Sequence, residues 1–291
     1  MFSVKRKQFL IFFVPSLIVL GVTVIYPLIY SLIMSFTNAS LKRQGFGEFI
    51  GLDNYIKAFK DTYFIDSGWN TIVFTVIVVT LEFLFGLAVA LLLNRIKRGK
   101  KIFFTIIIVP MLITPVAVGL IWRLLLHPDL GIVNYLLGLI GVEGQAWLGD
   151  AKLAMMTVVL VDIWHQLPFM ILLLLAGLVS LPGEPYEAAT IDGAGRFQTF
   201  LHVTLPLMKE TIVVAVLFRV ITAIKTYDLI YVLTKGGPGT TTEVISYHIY
   251  KQAYTFLNTG YSSAMSYLLL LVILLISTLF VRVSRGKPQP R

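Results

Sequence analysis

The sequence predicts an all-α polytopic membrane protein, and three observations carry that prediction. The chain has 291 residues, 57% of them hydrophobic and only 13% charged, whereas a water-soluble domain carries about 25% charged residues. Its mean hydropathy is +0.85. The apolar residues fall in long runs, several reaching the roughly 20 residues that cross a bilayer's hydrocarbon core. Helices satisfy their backbone hydrogen bonds within each segment, as hydrocarbon demands. A transmembrane barrel would show alternating segments of about 10 residues, and this sequence has none.

Six runs bounded by charged and turn residues predict spans at 9–36, 69–93, 102–126, 153–178, 208–232 and 262–282. The first follows Lys5-Arg6-Lys7 with the polarity of a signal peptide. It continues past Pro15 and Tyr26 without a small-residue cleavage site, so it is expected to be a retained span.

Lys and Arg set the orientation. One side has 14 of them: Lys5, Arg6, Lys7, Arg95, Lys97, Arg98, Lys100, Lys101, Arg196, Lys209, Arg282, Arg285, Lys287 and Arg291. The other side has seven: Lys42, Arg43, Lys57, Lys60, Lys152, Lys235 and Lys251. The positive-inside rule therefore predicts cytoplasmic N- and C-termini. The net charge of +9 is explained by topology, and no nucleic-acid partner is expected. The outer segments are 37–68, 127–152 and 233–261. In the first, Tyr55, Ile56 and Phe59 are expected on one face of a short interfacial helix. The last opens with Lys235-Gly236-Gly237-Pro238-Gly239, a strong turn signal. No soluble domain and no internal repeat interrupts the chain, so residues 1–291 are expected to be one membrane domain.

Several chemistries are excluded. There are no cysteines, and four scattered histidines do not make a metal site. No paired catalytic carboxylates or nucleophile–base set appears, so an enzyme is not expected. No Gly-x-x-x-x-Gly-Lys-Ser/Thr phosphate loop occurs; Gly99-Lys100 and Gly286-Lys287 lack its other parts.

Ionisable groups inside spans are costly and face a cavity or a partner. Glu82 lies mid-span and is expected as a protonated or hydrogen-bonded structural carboxyl between helices. Arg123 is expected to snorkel to the interface. Asp162, Trp164, His165, Gln166 and Phe169 cluster around Pro168, which frees backbone groups and bends a helix. Arg219, Thr222 and Thr226 share a helix face. Lys225 and Asp228, three apart, are expected to pair on one helix. Trp164, Gln166 and Arg219 supply the stacking and planar hydrogen-bonding groups that bind sugars; packing between spans is the alternative for each.

The most informative segment is 183–206, predicted to lie on the cytoplasmic side. Glu187-Ala188-Ala189 favours a short helix, and Gly193 and Gly195 end it. Phe197, Phe200 and Leu201 form an apolar stripe with helical spacing. The pattern fits a partner-docking element and equally a stripe packed on the chain's own helix ends.

Glu187-Ala188-Ala189, then Gly193, then Val203-Thr204-Leu205-Pro206 resembles the "EAA" loop of binding-protein-dependent ABC importer permeases. The resemblance is to the carbohydrate branch, closest to its maltose-type subunit. Trp164-His165-Gln166-Leu167-Pro168-Phe169, Lys225-Thr226-Tyr227-Asp228-Leu229-Ile230-Tyr231, Leu233-Thr234-Lys235-Gly236-Gly237-Pro238 and Gly51-Leu52-Asp53-Asn54-Tyr55 carry it. It implies a single transmembrane permease domain with the ABC importer type I fold in a prokaryotic inner membrane.

By the same resemblance, Glu187, Ala188, Ala189, Asp192, Gly193, Gly195, Arg196 and Phe197 couple to a separate ATPase. A substrate cavity would be lined by Trp164, His165, Gln166, Phe169, Arg219, Thr222, Ala223 and Thr226. The family's asparagine-rich pattern is absent, with Ala223, Lys225 and Thr226 in its place, which leaves the sugar open. The implied partners are a second homologous permease, two ATP-binding subunits that hold ATP and Mg, an extracytoplasmic solute-binding protein, lipid and a carbohydrate cargo. No cofactor is expected on this chain. The expected function is import of a sugar or oligosaccharide by alternating access. Two alternatives are a glycerol-phosphate-type importer, with Arg219, Arg123 and Lys225 facing an anion, and an ion-coupled secondary transporter using Asp162, Glu82 and Asp228.

Overall fold

A computed structural model describes residues 13–43, 45–96 and 98–284. Lys5, Arg6, Lys7, Lys97, Arg285, Lys287, Arg291 and residues 9–12 of the first expected span lie outside them.

The elements, in chain order, are helical. The first helix, α1, is Phe13–Ser35, with a π-helical stretch at Gly21–Ile25. It is followed by α2 (Asp53–Lys60), α3 (Thr62–Arg95) and α4 (Lys100–Ile108). A 3₁₀ turn, Val109–Leu112, extends α4 towards α5 (Pro115–Leu125). Next come α6 (Ile132–Leu139), α7 (Ala154–Val179), α8 (Glu184–Ile191) and α9 (Arg196–Thr199). The last described elements are α10 (Lys209–Ile224), α11 (Asp228–Leu233), α12 (Ile245–Tyr250) and α13 (Thr259–Ser284). Among the described residues the sole β feature is an isolated bridge, Thr37 to Phe49.

Four of these helices are long and apolar enough to cross a membrane, or five if one bent pair forms a single span. That pair replaces the straight third span expected at 102–126. Lys101–Leu112 and Pro115–Leu125 meet at 94°, because Pro110 and Pro115 lack the N–H that a continuous helix needs. The expected fifth span, 208–232, is also interrupted. Its longer piece, α10, has 16 residues, about 24 Å of helix against a core about 30 Å thick. Pro168, by contrast, does not interrupt α7, which runs unbroken for 26 residues.

One compact unit comprises the residues up to Ile65 together with Ile249–Val272. Its polar side chains tie the ends of helices. The buried Asn54 amide donates to the carbonyls of Ser35 (2.9 Å) and Thr37 (2.8 Å), closing the C-terminus of α1. The Tyr261 hydroxyl donates to Asp61 at 2.8 Å, and the Lys57 ammonium sits 4.4 Å above the Tyr261 ring. In α2 the buried side chains are Asn54 and Ala58. The expected apolar face divides: Tyr55 turns in to Ser35, while Ile56 and Phe59 are exposed.

The second unit comprises Asp66–His248 and Ile273 onward. Its core is Leu87, Ala90 and Leu93 of α3, Met170, Ile171, Leu174, Leu175 and Leu178 of α7, and Met208 and Ala215. Glycine permits the close helix crossings. A Cβ at Gly177 would stand 2.5 Å from Thr211, and one at Gly86 would stand 2.8 Å from Met170. Small residues at such crossings let helix backbones approach where lipid supplies no hydrophobic drive.

Candidate functional site

The three helices α3, α7 and α10 meet at one ionic group. Arg219 of α10 is 1% exposed, and Glu82 of α3 and Asp162 of α7 are equally enclosed. The guanidinium donates through Nε and Nη2 to both oxygens of Glu82, the latter bond being 3.0 Å, and through Nη2 again to Asp162. Its Nη1 donates to Thr222 Oγ1 at 3.3 Å. Four of its five N–H donors are thereby engaged. A planar fork matched to carboxylates is the arrangement that makes a buried arginine tolerable. Arg219, expected to line a substrate cavity, is held by these two carboxylates. Glu82 is a hydrogen-bonded structural carboxyl.

Beside this group lies a small polar cavity of about 170 Å³, lined by Pro115, Asp162, His165, Gln166, Arg219, Thr222, Lys225, Thr226, Tyr227, Asp228 and Leu229. Asp162, His165 and Gln166 reach it together because positions i, i+3 and i+4 share a helix face. His165 Nε2 lies 2.9 Å from the Ile113 carbonyl, and Nδ1 lies 3.1 Å from the Gln166 amide nitrogen. A carbonyl only accepts, so His165 Nε2 carries a hydrogen and donates to Ile113. No local sequence signal announces Ile113, whose contribution is a backbone carbonyl exposed by the bend between α4 and α5.

Of the residues expected to line a substrate cavity, the structure brings together His165, Gln166, Arg219, Thr222 and Thr226. Trp164, Phe169 and Ala223 stand apart. Trp164 packs edge-on against Trp122 at 5.5 Å, and Phe169 against Phe218 at 6.4 Å. Ala223 is buried.

The cavity borders the break between α10 and α11. Ser246 donates to the Ile224 carbonyl at 2.8 Å, and Thr226 donates back to Thr222 at 3.1 Å, so freed backbone groups find partners. The expected Lys225–Asp228 pair on one helix does not form: the two residues flank the break, and neither makes an ion pair among the described residues. Arg123 donates to the Val232 carbonyl at 3.4 Å, near the C-terminus of α11, where a cation meets the negative end of a helix.

The 183–206 segment folds as a helix, a tight turn and a second short helix. Gly193 has φ +72°. Its N–H donates to Thr190 (3.1 Å), and the Ala194 N–H donates to Ala189 (2.9 Å). That is a Schellman cap, which calls for glycine at the left-handed position. The Gln198 side chain accepts from the Gly195 N–H at 2.9 Å, starting α9, and Tyr186 bonds Thr204 at 3.1 Å. Ala189 is buried, while Glu187, Ala188, Asp192, Gly193, Gly195 and Arg196 are exposed.

The Phe197-Phe200-Leu201 stripe splits. Phe200 packs on the α3–α7 core, whereas Phe197 is 72% exposed and Ile191 87% exposed. Ile191 was missed because it lies outside the stripe's period. Behind the loop is a cavity of about 800 Å³ that includes Asn94, Arg95, Leu178, Tyr186, Arg196 and Phe200 in its lining.

Comparison with known proteins agrees with this architecture. Residues 82–286 match the family described as "Binding-protein-dependent transport system inner membrane component". The sulfoquinovosyl glycerol transport system permease protein SmoG of Agrobacterium fabrum is 36% identical over 94% of this chain and 89% of its own length. The trehalose/maltose transport system permease protein MalF of Thermococcus litoralis is 37% identical over 81% of this chain and 80% of its own. Among solved structures, a chain of a bacterial ABC transporter that imports the acidic polysaccharide alginate superposes with a TM-score of 0.85. It has 25% identity and covers 99% of this chain and 98% of its own. The fold is thus that of an ABC importer permease, a transport subunit and not a catalytic one. The chain belongs to the binding-protein-dependent transport system inner membrane component family of ABC importers.

Proposed function

We propose that residues 1–291 form a single permease domain with six membrane crossings and cytoplasmic termini, which passes a sugar or short oligosaccharide by alternating access. Of the six crossings, one is the bent α4–α5 pair and one is α10 with α11, shorter than a straight span and interrupted at the polar cavity. Transporters place broken helices at such midplane sites, where the irregular backbone lines a cavity instead of lipid. A second homologous permease completes the pathway, two ATP-binding subunits supply ATP and Mg, and a solute-binding protein delivers cargo from outside. The trehalose/maltose and sulfoquinovosyl glycerol relatives support a sugar-like cargo.

One observation carries the coupling role. The 183–206 turn presents Ile191 and Phe197, 87% and 72% exposed, at the tip of a rigidly capped loop. An exposed apolar tip on a fixed loop fits a protein cleft, and the ATPase subunit is the partner that needs one. Glu187, Ala188, Asp192, Gly193, Gly195 and Arg196 would share that interface, with Ala189 anchoring it from within. The test is Glu187→Lys, together with Gly193→Asp, in the reconstituted transporter. Transport and cargo-stimulated ATP hydrolysis are expected to fall at least tenfold, with cargo affinity of the binding protein unchanged. Normal cargo-stimulated hydrolysis in both variants would sink the assignment.

A further inference from the structure

We infer that Glu82 and Asp162 set the charge of the cargo: by engaging Arg219 they remove the cavity's strongest anion-binding group and select an uncharged glycan. The inference rests on the glycan reading above and goes beyond it, because the relatives alone leave cargo charge open. One imports trehalose or maltose, and the transporter of another neighbour imports an acidic polysaccharide.

Arg219 and Lys225 are the basic side chains of the cavity lining, and Asp162 and Asp228 are acidic ones; Glu82 holds Arg219 from outside that lining. A carboxylate or phosphate entering this space meets the two aspartate side chains in a medium that screens poorly. Arginine is the usual fork for such anions, but here the fork is turned to Glu82 and Asp162. The Arg123 guanidinium is engaged by the Val232 carbonyl and does not line the cavity. Among the described residues, Lys225 is the cation of this lining without an ion pair, and Asp228 stands across the helix break from it. Beside Lys225, what remains for cargo is Gln166, the Thr222 and Thr226 hydroxyl oxygens as acceptors and the carboxylate edges, a set that suits sugar hydroxyls. Glu82 and Asp162 are positioning residues: they act on cargo through Arg219.

Saturation-transfer NMR on the transporter assembled in nanodiscs, without binding protein, tests this with maltotriose and a trisaccharide of equal length ending in glucuronate. The wild-type assembly is expected to bind maltotriose at least tenfold more tightly than the acid. Glu82→Gln/Asp162→Asn unmasks the guanidinium, and its acid-to-neutral binding ratio is expected to rise at least tenfold. Asp162→Asn alone, which leaves Glu82 on the arginine, shifts the ratio the same way by less. Adding Arg219→Met to the double variant removes the group to be unmasked, and the gain disappears. Wild-type binding of the acid as tight as that of maltotriose would overturn the inference. So would a folded Asp162→Asn or double variant with an unchanged ratio. Silence of both probes on the wild type would instead overturn the glycan reading beneath it.

Discussion

At the scale of single residues, Arg219 is the most consequential side chain in the described structure. Its pairing with Glu82 and Asp162 follows from a simple constraint: an isolated charge in the apolar interior is expensive, and removing one member of a buried ionic group costs about 3–5 kcal/mol. Arg219→Leu is therefore expected to lower the melting temperature of the purified chain far more than Arg219→Leu combined with Glu82→Leu and Asp162→Leu. Fluorescence-detected thermal unfolding in detergent measures both; equal losses in the two variants would contradict the ionic account. The individual residues were legible in the sequence as costly polar groups, but their partnership was not. Glu82 and Arg219 lie 137 positions apart and Asp162 and Arg219 lie 57 apart, beyond any local periodicity.

At the scale of elements, the instructive features are the interrupted helices and the capped loop. The break after Ile224 persists because its backbone groups find partners, among them the Ser246 hydroxyl. Ser246→Ala leaves the Ile224 carbonyl without that donor and is expected to cost about 1 kcal/mol, read as a shift in the same thermal assay. In the loop, Gly193 occupies the left-handed region, which costs a residue with a side chain about 1–2 kcal/mol. Asparagine enters that region more readily than a β-branched residue. Gly193→Asn is therefore expected to keep most transport activity and Gly193→Val to lose most of it, as measured by radiolabelled sugar uptake. The turn itself was readable from Gly193 and Gly195, since a left-handed cap is a local requirement. The division of the Phe197–Leu201 stripe was not, because only the packed α3–α7 core decides that Phe200 turns inward.

At the scale of the whole molecule, the absence of native cysteines makes topology directly measurable. Single cysteines at Glu143 and at Phe197 are expected to react with a membrane-impermeant maleimide from opposite faces: Glu143→Cys in intact cells, and Phe197→Cys only after the membrane is opened. Labelling of both from the same face would contradict the proposed six-crossing arrangement. The same reagents on cysteines introduced between α4 and α5 report whether that bent pair crosses the membrane or returns to the side it entered.

The sequence by itself determined the solvent, the helical class and the approximate place of each apolar run, because hydropathy and run length act locally. It also determined the loop with its glycine cap and the lack of a phosphate loop, both written in short spacings. Tertiary structure decided which runs stay straight, and that Lys225 and Asp228 are divided by a break. It also decided that Arg219 pairs with two carboxylates from other helices. Those outcomes depend on which helix faces meet, and the energy that selects them arises between segments remote in the chain.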